Sequence, residues 1–149
     1  MLNNVIITDD YHLILCALFA ISSALINLFL IIYNKFYINK FTQDFVDLFY
    51  GDLCGGEIIK LKNNMYLWVY PFLTVYVLSF LKNFFGGVDV IPSVNDLNNK
   101  PLGFFPNLYK ENLLLFKKRN YTWLLLNITL NIVAIVFIVY TLIYVTFFI

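Results

Sequence analysis

The residues best suited to chemistry are a carboxylate cluster, Asp44, Asp47, Asp52 and Glu57, and the single histidine, His12, beside Asp9 and Asp10. Carboxylates at such spacings can hold a hard divalent cation or pass protons. Metal sites, however, draw on further ligands at set intervals, and beyond the lone Cys54 no His or Cys accompanies this cluster. It reads as a solvated face. Haem iron normally takes axial histidine, and one histidine at the edge of an apolar run gives no internal bis-His pair. Cys16 lies in an apolar run and Cys54 precedes Gly55-Gly56, with no CxxC, metal quartet or disulfide framework. Gly55-Gly56 and Gly86-Gly87 punctuate turns and do not form a phosphate-cradling GxGxxG or P-loop. Asn120-Tyr121-Thr122 matches a glycosylation sequon but abuts an apolar run. The expectation is no catalytic, cofactor-binding or metal-ligating residue, and a chain that is not an enzyme.

The elements available to hold these residues are strongly apolar. The chain has 149 residues, room for a single domain, and is 61% hydrophobic, 19% aromatic and 13% charged. Soluble domains run near about 45–50% apolar and about 25% charged. A chain of this size cannot bury that much apolar surface within itself, so lipid must cover the rest. A net charge of +1 leaves no electrostatic footprint for nucleic acid.

Two runs are long enough to cross a bilayer whose hydrocarbon core is roughly 30 Å thick. Residues 11–33 carry no formal charge apart from His12, and residues 121–149 carry no charge, Gly or Pro. The extra length of the second implies tilt or a projecting end. A third run, 65–85, is shorter, contains Pro71, and is interrupted by Lys82 before Gly86-Gly87 ends it. The expected fold class is an all-α integral membrane protein with three transmembrane helices. The alternative is two helices plus a re-entrant or interfacial middle segment. Hydropathy favours three spans. The positive-inside rule favours two, because all ten Lys and Arg fall between Lys35 and Arg119.

Within the spans, Cys16, Ala20 and Ala24 recur every four residues beside Asn27, a stripe that lets another helix approach closely. Asn27 is expected to hydrogen-bond across that contact. Asn127 and Asn131 lie one turn apart on the last span and need partners in lipid. These six residues are the helix-packing candidates.

The loops, 34–64 and 86–120, are expected to carry short interfacial helices. Thr42 is expected to cap one, with Asp44 in its first turn, Phe41, Phe45 and Phe49 on one face, and Gly55-Gly56 as the stop. Its apolar face would lie on the membrane or on a partner. Residues 88–107 read as irregular loop. A second helix, 108–119, would end at Lys117, Lys118 and Arg119. These would anchor the last span at the headgroups and attract structural phospholipids such as cardiolipin.

Phe (16), Tyr (11) and Asn (16) have AT-rich codons, whereas the GC-rich Ala (4), Pro (4), Gly (6) and Arg (1) are scarce. The bias points to an AT-rich genome, as many mitochondrial genomes are. The first ten residues hold no Lys or Arg, so neither a cationic signal region nor an Arg-rich transit peptide is expected.

Runs such as LINLFLIIYNKFYINKF (25–41) and VAIVFIVYTLIYVTFFI (133–149) resemble the small membrane proteins encoded in ciliate-type mitochondrial genomes. That resemblance implies a multi-pass subunit of the mitochondrial inner membrane, non-catalytic, with other membrane subunits of a respiratory complex and the bilayer as partners. Phe84-Phe85-Gly86-Gly87 with Pro92, Phe105-Pro106 and Leu124-Leu125-Leu126-Asn127 is similar to the later part of the quinone-site membrane subunit of complex I. The chain lacks that family's acidic and arginine-rich loop motifs, so no functional residue is carried over. The expected parent is complex I (NADH:ubiquinone oxidoreductase), with cytochrome c oxidase or ATP synthase as alternatives. The alternative of another class is a small homo-oligomeric channel or transporter component lined by Asn127 and Asn131.

Overall fold

The first 50 residues contain neither Gly nor Pro, the strongest helix breakers. In the computed structural model, α1 accordingly runs as one helix over Leu2–Lys40, well past the expected apolar run at both ends. The structure describes residues 2–51, 65–86, 90–95, 100–101 and 103–148. Its other helices are α2 (Thr42–Phe49), α3 (Val69–Phe85, entered through a 3-10 turn, Met65–Trp68), α4 (Lys110–Arg119) and α5 (Tyr121–Phe148). Among the described residues all regular structure is helical. Pro71 sits in the first turn of α3, where its missing N–H costs no helical bond.

Three helices are long and apolar enough to cross a membrane, over Tyr11–Lys40, Met65–Lys82 and Tyr121–Phe147. The middle run therefore qualifies by length and composition. Such a set suggests a multi-pass membrane protein.

The chain divides into two compact units. The first joins residues up to Ile32 with those from Leu125 onward. Here α1 and α5 pack antiparallel. Phe19 stacks on Phe137 at 4.6 Å with rings nearly parallel, and the Ser23 hydroxyl donates to the Ala134 carbonyl at 3.4 Å. The second unit, Tyr33–Leu124, holds the end of α1, α2, α3, α4 and the first residues of α5. Its core is aromatic: Phe45, Phe49, Phe72, Phe105 and Trp123 are all fully buried.

α2 departs from the sequence expectation in three ways. Thr42 does not cap it; the helix begins at Thr42, and Phe41 occupies the cap position without a side-chain bond. The Thr42 hydroxyl instead donates backward to the carbonyls of Ile38 (2.8 Å) and Asn39 (3.2 Å), satisfying the otherwise open end of α1. Its Phe45/Phe49 face turns into the unit's own core, because aromatic rings from α3, α4 and α5 offer a dry partner there. The helix also stops earlier than expected, at Phe49. The expected stop, Gly55-Gly56, lies outside the described residues, as do Asp52, Cys54, Glu57 and Gly87.

Gly51, two residues beyond the end of α2, stands at φ +58. A Cβ there would lie 2.7 Å from Asn107 Nδ2 and 2.8 Å from Asn107 Cγ. Asn107 comes this close because it caps α2: its backbone N–H donates to Phe49 O at 3.0 Å, and its amide donates to Asp47 O. Gly51→Ala therefore incurs left-handed backbone strain and displaces the cap. The expected loss is about 1–3 kcal/mol, read as a lowered unfolding midpoint of the full chain in detergent. An unchanged midpoint would show that the close approach does not matter.

Candidate functional site

The most constrained polar arrangement is a hydrogen-bond chain in the second unit, built where α1, α2, α4 and α5 meet the aromatic core. Asn120 is its centre. It is the single residue between α4 and α5, and it is 2% exposed. Its backbone N–H donates to Phe116 O at 2.8 Å, and its carbonyl accepts from Leu124 N–H at 3.0 Å. The side-chain oxygen accepts from the Tyr37 hydroxyl at 2.9 Å, and the amide donates to Asp44 Oδ2 at 3.2 Å. Arg119 donates to the other Asp44 oxygen at 3.3 Å. Beside this, the Trp123 indole N–H donates to Asn34 Oδ1 at 2.9 Å, with both residues buried.

Such a chain can hold four segments in register. It also engages one carboxylate of the sequence cluster, Asp44, which pairs with Arg119 and Asn120; Asp47 separately accepts from Gln43. The Asn120 sequon cannot take a glycan in the folded chain, because its amide nitrogen is buried and bonded.

A second polar contact ties the 93–94 turn to α4. The Glu111 carboxylate accepts from the Ser93 hydroxyl and the Val94 N–H. The Ser93 hydroxyl, with backbone N–H donors and the Lys110 charge adding to it, holds Glu111 below the usual carboxylate range. A depressed folded-state pKa means this docking is fully present above the unfolded value and is lost as pH falls through the folded one. Protection of the Val94 amide from hydrogen exchange should therefore fall in acid. Glu111→Gln should remove the pH dependence; a profile shared by both forms would dismiss the contact.

The six packing candidates all lie in the first unit, in unlike surroundings. Cys16 is buried, whereas Ala20 and Ala24 are exposed. The buried line on α1 runs instead through Cys16, Ser23 and Leu30. Ala20 and Ala24 border an open groove of about 370 Å³, with Asn27 from α1 and Ile138 and Thr141 from α5. Asn127 is fully buried and Asn131 half-buried.

The cross-helix bond expected of Asn27 is made by Ser23 instead. Asn27 donates to the Ser23 carbonyl of its own helix at 2.9 Å, and Asn131 donates likewise to Asn127 O at 2.7 Å. Thr74 and Thr141 show the same pattern. A polar side chain on an apolar helix needs a nearby acceptor, and the carbonyl four residues back is always in reach. His12 is exposed, shares a 3.2 Å hydrogen bond with the Tyr140 hydroxyl and stacks on Tyr144.

Sequence reasoning did not single out Asn34, Tyr37, Asn107 or Trp123. No local pattern marks them, because their partners lie 60 to 89 residues away. No protein-family model, curated protein or solved structure matches the chain.

Proposed function

We propose that the chain is a non-catalytic structural subunit of a respiratory complex in the mitochondrial inner membrane, with complex I as the parent. The observation that supports a subunit role is how little of its apolar helix surface the chain covers by itself. Over 18 residues of each candidate span, only 17%, 22% and 11% are buried. The uncovered faces carry large side chains such as Leu18, Leu25, Leu78, Ile135 and Leu142. Lipid covers such faces, and so do neighbouring helices. The groove beside Ala20 and Ala24, edged by Asn27 and Thr141, has the small and polar lining on which membrane helices pack. Mitochondrial origin and the choice of complex rest on the AT-biased composition and the resemblances in sequence.

Native-gel separation of mildly solubilised mitochondrial membranes, with mass spectrometry of each band, tests this reading. Co-migration with complex I supports it in full. Co-migration with cytochrome c oxidase or ATP synthase keeps the subunit role and reassigns the parent. Migration alone or as a small homo-oligomer overturns it in favour of a channel. A channel lined by Asn127 would require that side chain to face a lumen, whereas it is fully buried within the chain.

A further inference from the structure

α4 has two faces of different chemistry. Phe116 is 4% exposed and packs inward against Phe45, Phe72 and Trp123. On the opposite side Leu114 is 65% exposed, with Lys118 exposed one turn beyond it, and Leu115, 61% exposed, lies on the flank toward Asp44 and Arg119. Two bare leucines with lysines after them form a surface with an apolar half and a cationic end.

The charge on that end is available. Arg119 is offset by Asp44, but among the described residues Lys117 and Lys118 meet no carboxylate. The acid of the same helix, Glu111, stands at the far end and is held by Ser93 and Val94. The depth of the lysines is set by connectivity. Lys118 precedes the candidate span starting at Tyr121 by three residues, at most about 11 Å of chain. The lysines thus lie at headgroup level wherever α5 crosses a bilayer.

We propose that this face of α4 binds anionic phospholipid, with Leu114 and Leu115 in the upper acyl region and Lys118, flanked by Lys117, on the headgroup phosphate. The complementarity is that of an interfacial amphipathic helix, in which apolar burial and cationic attraction act together. The inference needs α5 to cross a bilayer. It does not depend on membership of a respiratory complex.

The test uses the purified full-length chain in mild detergent, titrated with dioleoyl phosphatidylglycerol or dioleoyl phosphatidylcholine, and bound lipid is counted by native mass spectrometry. Phosphatidylglycerol should bind on the order of tenfold more tightly, since each lysine near an anionic lipid surface contributes several-fold. The double variant Lys117→Gln/Lys118→Gln should bring the two lipids within about twofold, while Lys100→Gln, at another exposed lysine, keeps the preference. Millimolar inorganic phosphate should not displace the lipid. Equal affinity for both lipids, or a double variant that keeps the preference, overturns the proposal and reassigns this face to a protein partner. Displacement by inorganic phosphate overturns it in favour of a simple anion site. Retention of the wild-type chain in phosphatidylcholine vesicles after alkaline extraction is scored separately. Loss at that step refutes insertion rather than lipid selectivity.

Discussion

Trp123→Ala is expected to remove about 3–5 kcal/mol of stability, the usual range for deleting a fully buried large aromatic side chain. The indole is fully buried at the start of α5. It stacks on Tyr37 at 5.8 Å and meets Phe45 and Phe116 edge-on at 5.0 and 5.9 Å. These rings come from α1, α2 and α4, so the cavity would open where four helices converge and could not close by moving one side chain. The loss also includes the hydrogen bond to Asn34. Trp123→Phe separates the two contributions. It keeps most of the apolar contact and should cost about 1–2 kcal/mol, the scale of one buried hydrogen bond. Calorimetric unfolding of the full chain in detergent reads both. A loss below about 1 kcal/mol for the alanine variant would contradict the packing described for the second unit.

Asn120→Ala is expected to cost about 1–3 kcal/mol, chiefly because the half-buried Tyr37 hydroxyl and Asp44 each lose a partner. The sharper test is Asn120→Asp, which changes one atom's hydrogen-bonding sense. It keeps the acceptor for Tyr37 but sets a second carboxylate against Asp44 in place of an amide donor. At neutral pH this variant should be at least as unstable as the alanine one. Its stability should partly return as pH falls, because protonating either acid restores a donor between them. If the Asp and Asn forms match at neutral pH, the bond from Asn120 to Asp44 is not formed in solution.

The Glu111 contact, by comparison, sits at the surface, where solvent competes for the same groups. Its loss should loosen one turn without unfolding the unit. Acid should first release the 93–94 turn from α4, while the core around Trp123, whose rings carry no group that titrates in acid, stays packed.

The long helices were legible from sequence because hydropathy acts locally. Residues 11–33 and 121–149 are long, mostly apolar runs without Asp, Glu, Lys or Arg, and no distant residue is needed to say so. Helix continuity obeys another rule. α1 extends to Lys40 because no breaker intervenes, whereas its polar end reads as loop for want of apolar residues. Burial was less legible still. Whether Cys16 or Ala20 faces α5 depends on the angle at which two helices meet, which four-residue spacing alone does not specify. The aromatic face of α2 could be read as apolar, but its destination could not. Membrane, partner and the chain's own core all satisfy the same pattern of Phe41, Phe45 and Phe49. Only the tertiary structure decided that Phe72, Phe105, Phe116 and Trp123 cover it. Asp44, Arg119 and Asn120 stood out in the sequence, but their pairing with one another and with Tyr37 was hidden, since nothing local links α1, α2 and the α4–α5 junction. By itself the sequence determined an apolar, helical chain with runs long enough to cross a membrane, because those properties sum over neighbours. Three-dimensional packing decided which amide meets which carboxylate, because a hydrogen bond forms only where folding brings two distant groups within about 3 Å.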